Sequence, residues 1–354
     1  MTTITAGMVK DLRDRTGAGM MDCKQALTEN NGDMEQAIEW LRKKGITKAA
    51  KKSDRVAAQG LIGIVSDGKS GAVVEVNSET DFVARNDQFQ DMVRKITSLA
   101  PKANGDLSAL LAATYPGTSS TVESHIKDAV ATIGENMGVR RTAALSIASG
   151  VVADYMHNKA ADGLGKIGVL VALESTGDKA KLMEFGKQLA MHVAAASPLA
   201  LTPEQLDKSV IDKERAIYTE QALATGKPAD IVNKMVEGRL QKEYFGQVAL
   251  TNQVYVLDGK ATVADVVKAT ERTIGAPIKI AGFVRYALGE GIEKKQEDFA
   301  AEVAKAAGAA APASKPAETN AAAAVAKAAE KPKAESKAPP AGKSGAPKPP
   351  AKKK

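Results

Sequence analysis

Cysteine is nearly absent. Cys23 stands alone in 354 residues, which excludes an internal disulfide and any thiolate-based zinc cluster and fits a reducing cytoplasm. Histidine is almost as rare, and His125, His157 and His192 lie far apart with no H-E-x-x-H spacing, so a metal site has no support. Nor does any apolar run approach the roughly 18 residues of a membrane span. The stretch Ile4 to Leu12, for instance, carries Thr5 and Lys10, so neither export nor membrane insertion is expected. Aromatic residues are sparse too, with six Phe, six Tyr and one Trp. Each large ring therefore asks for a reason where it falls.

Charge is present but unevenly placed. The net charge is +7, yet from Gly308 to Lys354 there are 10 Lys and 3 Glu with no Arg or Asp, so residues 1–307 carry 39 basic and 39 acidic side chains. The whole excess belongs to the tail. With no aromatic and one branched aliphatic, Val325, that Ala/Lys/Pro-rich segment cannot bury enough apolar surface to offset ordering entropy. Residues 308–354 are expected to be a disordered, solvated spacer, with weak contacts to an anionic surface such as RNA as its alternative role.

Ahead of the tail, apolar spacing divides the chain. Residues 1–46 read as three short helices: the first capped by Thr5, the second over Met20–Glu29, and the third opened by Asp33 with Gln36 three residues on and closed by Gly45. Residues 47–59 form a linker. The period then changes to strands at Leu61–Val65 and Ala72–Val76 about a turn at Asp67-Gly68, a hairpin signature. Helical spacing returns over Phe89–Leu99 and Thr121–Met137, followed by strands over Arg140–Ser149 and Val151–Met156. Gly168–Ser175 echoes Gly71–Ser78, and each is followed by a helix. The economical reading is an α+β fold with antiparallel sheets in two subdomains, 60–157 and 158–290. A protruding coiled-coil hairpin is expected within the second at 203–242, opened by Thr202-Pro203-Glu204-Gln205 and seamed by residues such as Leu206, Val210, Ile217, Ile231 and Met235. A final strand, Ile278–Leu288, precedes a C-terminal helix within a module over 291–307.

Two short expressions suggest nucleotide chemistry. Gly63-Ile64-Val65-Ser66-Asp67-Gly68-Lys69-Ser70 fits the phosphate-loop pattern, which works only between a strand and a helix whose N-terminus cradles phosphate. Here strand residues lie inside and after it, so a hairpin turn is the better reading. A P-loop hydrolase using Lys69 remains the alternative from the enzyme class. Gly163-Leu164-Gly165-Lys166-Ile167-Gly168 fits the dinucleotide pattern but precedes a strand where it should follow one. No nucleophile-base pattern stands out, and Cys23 falls on the apolar side of its helix. Neither chemical catalysis nor a cofactor is expected.

Thr80-Asp81-Phe82-Val83 is the most informative segment. The strand Gly71–Val76 ends in Asn77-Ser78-Glu79-Thr80-Asp81, small oxygen-bearing residues that stop strands and cap helices. A scarce phenylalanine thus sits on a strand-to-helix corner beside an acid. Core packing is the ordinary use of such a ring; a wedge offered to a partner is the other.

Taken together, the motifs resemble those of the bacterial elongation factor Ts family. Arg15-Thr16-Gly17-Ala18-Gly19-Met20-Met21-Asp22-Cys23-Lys24 is similar to its N-terminal signature and Glu75 through Ala84 to its second, with further matches at Ile133-Gly134-Glu135-Asn136, Ala190 through Ala195, Gly226-Lys227-Pro228, Lys234 through Arg239 and Gly289 through Lys294. The resemblance, over about residues 3–305, implies a ubiquitin-associated-like N-terminal domain, the two-subdomain core, the coiled coil and a C-terminal helical module. It implies a guanine-nucleotide exchange factor whose partner is elongation factor Tu, with no cofactor, membrane or DNA. It places Asp81 and Phe82 beside the partner's magnesium and phosphate site with Thr80 and Val83 as flanking partner-binding residues, Leu12, Met20, Met21 and Lys24 at an N-terminal docking surface, and Ile133, His157 and Val256 at core contacts.

Overall fold

The computed structural model describes residues 3–50 and 52–293; the expected C-terminal helix at 296–307 and the tail at 308–354 lie outside the described residues. Helix α1 (Ala6–Thr16) begins where the Thr5 hydroxyl accepts the Met8 N–H at 3.3 Å and ends at Gly17, whose φ of 66° favours a residue without a Cβ. Helices α2 (Met20–Glu29) and α3 (Met34–Ala50) complete a small bundle around Leu12, Cys23, Ala26 and Leu27. Strands β1 (Gln59–Ser66) and β2 (Ser70–Ser78) form the expected antiparallel hairpin, and Asp67 closes its turn by accepting the Lys69 and Ser70 amides at 2.8 and 2.6 Å. Helices α4 (Asp81–Ala84), α5 (Asp87–Ala103), α6 (Leu107–Ala112) and α7 (Val122–Ile133) lead to β3 (Met137–Ser146).

The second half repeats the theme. Strands β4 (Gly150–His157), β5 (Leu164–Gly165) and β6 (Ile167–Glu174) precede α8 (Lys179–Ala196) and the helical hairpin α9 (Lys208–Leu223) and α10 (Ala229–Arg239). A π-helical turn (Leu240–Phe245), the short α11 (Gly246–Val248), α12 (Val263–Ile274) and β7 (Lys279–Ala287) follow. The fold is α+β. One sheet runs β3-β2-β1-β5 and the other β4-β6-β7, with all named strand pairs antiparallel.

Strand alternation sorts the core into layers. On β2, Ala72, Val74 and Val76 face α5 and α7, while Val73 faces the other way to meet Val152, Leu170 and Ala172 of the second sheet. On β6, Val169, Val171 and Leu173 face α8 and α12. The result is helices, sheet, sheet, helices. Side-chain-free positions let these layers close: a Cβ on Gly186 would lie 2.6 Å from that of Ala153, and one on Gly63 would collide with the Thr97 side chain. Gly63, the first glycine of the phosphate-loop expression, therefore serves the contact of α5 with β1. With strands on both sides of Asp67-Gly68, the loop-then-helix context for a phosphate is missing.

Several boundaries differ from the sequence reading. Helix α3 runs through Gly45 instead of ending there, because Gly45 is where α3 meets α7: an added Cβ would come 2.9 Å from that of Ala131. Helix α7 stops at Gly134 (φ 91°), short of Met137. Thr202-Pro203-Glu204-Gln205 makes only a 3-10 turn, since the Gln205 side chain folds back to the Leu201 amide, and Asp207 caps α9 by accepting the Ser209 amide at 2.8 Å. The hairpin seam is built from Ala222, Val232, Val236 and Leu240 with partly buried Leu206, Ile211 and Tyr218, whereas Val210, Ile217 and Ile231 lie on its outside. Neither α6 nor α12 was legible as a helix. No helix among the described residues is long and apolar enough to cross a membrane.

One charged group lies inside. Glu75 is 0% exposed and, by alternation, shares the sheet-facing side of Val73. It accepts from Arg141 Nε at 2.5 Å, Arg140 Nη1 at 3.2 Å, Asn77 Nδ2 at 3.1 Å and the Gly289 amide at 2.8 Å. Arg141 also donates to the Ala287 carbonyl at 3.0 Å and lies over the Tyr286 ring, so the cluster ties β2 and β3 to the end of β7. Burial alone would raise the Glu75 pKa, but the Gly289, Arg141 and Asn77 hydrogen bonds outweigh it and hold the carboxyl below its ordinary value. A depressed folded pKa gives stability that is present above about pH 4.3 and is lost as pH falls through the folded value. Glu75→Ala, which takes the shared carboxylate from Arg140 and Arg141 and leaves them the carbonyls of Glu290 and Ala287, is expected to cost about 1.5–3 kcal/mol in urea unfolding at pH 7. Glu75→Gln should remove part of the acid sensitivity between roughly pH 5 and 3; an unchanged acid profile would refute the assignment.

Candidate functional site: the Thr80–Val83 corner

Strand β2 and strand β3 part company where Ser78 opposes Met137. Beyond that pair, Thr80 Oγ1 donates to Glu135 Oε1 at 2.7 Å and the Thr80 amide to Glu135 Oε2 at 3.0 Å. Thr80 occupies the N-cap position of α4, yet its hydroxyl caps nothing because Glu135 takes it. The single turn that follows turns Val83 and Ala84 into the core beside Phe89 and leaves Phe82 76% exposed. Asp81 bridges to Arg85 at 2.7 Å across the turn's exposed side. Core packing is thus excluded for Phe82. Among the described residues, no cluster of His, Cys, Asp and Glu has the makings of a metal site.

Helix α7 connects this corner to the N-terminal bundle. Its last residue, Ile133, is half-buried against the first core layer, and the next residues carry Glu135. The bundle rests on the same helix through Gly45 beside Ala131 and Gly17 beside Thr132, and Lys52 donates to the Gly134 carbonyl. Met20 and Met21 at the start of α2 are exposed, the latter at 77%, and Lys24 is exposed one turn later. Leu12 and Val83 are buried, so their side chains support neighbours and do not present a surface. Cys23 is buried too, and burial pushes its thiol pKa up.

The remaining two expected contacts stand in the other half of the molecule. His157 is exposed at the end of β4 with its Nδ1 3.2 Å from the Tyr155 hydroxyl; the loop after it folds back so that Leu164 and Gly165 pair with β1. Val256, 44% exposed, follows buried Tyr255, whose hydroxyl burial pushes up to about 12. The backbone N–H of Val256 donates to His192 Nδ1 at 3.2 Å. That nitrogen must therefore be bare, which leaves the proton on Nε2 for Gln253 Oε1 at 3.0 Å. Neither His192 nor Glu135 stood out as a functional residue in the sequence: each lies in a quoted motif, but only the fold brings it to the group it holds.

The family described as Elongation factor TS matches residues 79–290. The chain is 60% identical over 306 residues to the elongation factor Ts of Rhizobium etli (strain CIAT 652), 58% over 305 residues to that of Bartonella henselae and 57% over 307 residues to that of Parvibaculum lavamentivorans. In each case 99% of the relative and 86–87% of this chain are covered. Similarity to these proteins over nearly their whole length, on an α+β scaffold, makes this chain a translation elongation factor. The chain belongs to the elongation factor Ts family.

His192 generates a pH dependence. Burial holds its pKa below the usual histidine value, with the Gln253 hydrogen bond opposing in part. A lowered folded pKa gives stability that is present above about pH 6.5 and is lost as pH falls below it. Protonation would also put an N–H on Nδ1 facing the Val256 N–H. Urea unfolding is expected to show lower stability at pH 5.5 than at 7.5, with the drop reduced in His192→Gln. An equal drop in both proteins would show that His192 is not its source.

Proposed function

We propose that this protein binds elongation factor Tu carrying GDP and promotes release of GDP and its exchange for GTP, without making or breaking a covalent bond. The observation that carries the reading is Phe82, exposed at the tip of a one-turn helix whose two ends are held to the body. Phe82 acts as a wedge beside the partner's magnesium and phosphate site, and Asp81 is its charged neighbour. Met20, Met21 and Lys24 dock the N-terminal bundle, supported from beneath by Leu12, while Ile133, His157 and Val256 extend the contact over the core. Residues 1–46 serve as a ubiquitin-associated-like module and 60–157 and 158–290 as two core subdomains that exchange strands at their boundary, β4 of the first joining the second sheet and β5 of the second joining the first, with α9 and α10 forming the coiled-coil hairpin and the cytoplasm as the site of action.

The physics requires only differential binding. A factor that holds the nucleotide-free partner more tightly than the GDP-bound partner must, by linkage, be weakened by nucleotide in the same ratio. Burying an exposed phenylalanine contributes about 1.5–3 kcal/mol, enough to offset part of the cost of disturbing magnesium and phosphate contacts. GTP binding then displaces the factor. The P-loop hydrolase reading is disfavoured by the strand that follows Lys69.

Release of fluorescent GDP from elongation factor Tu should accelerate with substoichiometric protein; no acceleration would end the proposal. Phe82→Ala should change folding stability by no more than about 0.5 kcal/mol. It should lower stimulated release about tenfold or more, the fold-change that some 1.5–3 kcal/mol of lost wedge binding implies. Undiminished stimulation would remove Phe82 from the mechanism.

A further inference from the structure

The chains leaving β2 and entering β3 exchange carboxylates. Glu135 of the incoming chain takes the Thr80 amide and hydroxyl, while Glu79 of the outgoing chain takes the Asn136 amide at 2.5 Å. The Asn136 side chain in turn donates to the carbonyls of Ser53 and Arg55 at 3.3 and 2.7 Å, and Arg55 reaches Glu79 at 3.5 Å. Each chain thus supplies the acceptor for an amide that the strand ladder no longer pairs. Ser78 Oγ adds a bond to the Thr80 carbonyl at 2.9 Å.

This interlock matters because α4 cannot hold itself. A single helical turn sits below the length at which helix propagation repays nucleation. Its one internal ion pair, Asp81 with Arg85, is exposed and of the kind that contributes little. Order must come from the ends. The C-terminal end is fixed by burial of Val83 and Ala84; the N-terminal end, next to Asp81 and Phe82, is fixed by Glu135.

We propose that Glu135 is the positioning residue for the Asp81–Phe82 wedge, with Glu79 as its reciprocal partner. This rests on the reading of Phe82 as the inserted element. Glu135 touches neither nucleotide nor magnesium; it holds the Thr80 backbone so that the ring is presented in one orientation before the partner arrives, which avoids ordering the turn on binding. A carboxylate suits the task because its two oxygens accept an N–H and an O–H together. Glutamine keeps one acceptor and offers an N–H to the hydroxyl oxygen, whereas alanine leaves the Thr80 amide without its partner.

The test uses the full chain with Glu135→Ala and Glu135→Gln, each made alone and with Phe82→Ala, and measures residue-resolved amide hydrogen exchange, urea unfolding and elongation factor Tu·GDP release. Glu135→Ala is expected to speed amide exchange at Thr80 and its α4 neighbours about tenfold or more and to lower stimulated GDP release about fivefold or more, the scale of one lost anchoring interaction. In the Phe82→Ala background it should lower release by less than about twofold, because the residue acts through the ring. Glu135→Gln should recover most of both losses. Equal losses of release with and without Phe82, or unchanged amide exchange at Thr80, would overturn the assignment. Should the wild-type protein fail to accelerate GDP release, the exchange reading falls while the amide measurement still decides whether Glu135 orders the turn. Should Glu135→Ala fail to fold, Thr80→Val, which removes the hydroxyl that Glu135 accepts, takes its place in the comparison, and unchanged amide exchange at residue 80 and its α4 neighbours in that variant would overturn the anchor.

Discussion

A carboxylate sealed between two sheets sets the geometry on which the remainder is built. The inter-sheet layer of Ile62, Val73, Val152 and Leu170 is apolar, and apolar contact has no direction of its own. Sheets packed only in that way can shift against one another at modest cost. Glu75 removes that freedom, because its hydrogen bonds to Arg140, Arg141, Asn77 and the Gly289 amide are satisfied together in one arrangement. Taking a carboxylate out of water is unfavourable, and the several donors are what offset it. The same network reaches Ala287 at the end of β7 and Glu290 beyond it, so the chain's final described turn is tied to the sheet that comes first in sequence.

That constraint propagates along β2. Four residues after Glu75 the strand releases Glu79 and Thr80 into the corner, so the Phe82 turn departs from a backbone already pinned on both sides of its sheet. Helix α7 supplies the second support. It carries the bundle on Ala131 and Thr132 and, immediately past its glycine cap, the Glu135 anchor. Under the proposed exchange role, bundle and wedge would meet the partner as parts of one lever centred on α7. A contact made through Met20 and Met21 then bears on where Phe82 points, without any contiguous path of communication being required beyond that helix.

Much of this was readable before any coordinates. The hairpin over Leu61–Val76, the Thr5 cap of α1, the strand-to-helix corner at Thr80 and the turn that disqualifies the phosphate-loop expression all follow from local chemistry. What escaped the sequence was tertiary in origin. Gly45 has the composition of a helix stop and the function of a contact, a distinction that depends on Ala131, 86 positions away. Val210, Ile217 and Ile231 are spaced like a seam, yet the hairpin closes on Ala222, Val232, Val236 and Leu240 with Leu206, Ile211 and Tyr218, a choice of helix face that only the pairing of α9 with α10 decides. Thr202 and Gln205 form a plausible capping pair whose glutamine is drawn instead to the Leu201 amide. Phe82 could be recognised as misplaced, but its anchor could not: Glu135 lies 55 residues beyond Thr80, and only the β2–β3 pairing brings those two together.

The exposed ring also bears on why the anchor on its N-terminal side is polar. Apolar packing already holds Val83 and Ala84; extending it to Thr80 and Asp81 would draw the ring down and reduce the area it exposes. Hydrogen bonds to Thr80 fix the backbone without covering the side chain, so rigidity and exposure coexist at adjacent residues. The Asp81–Arg85 bridge fits the same logic. Being exposed, it contributes little to the fold and costs little to give up. Under the proposed exchange role, a corner built in this way spends its stability on direction and leaves the Phe82 ring free for a partner, which is what differential binding would demand.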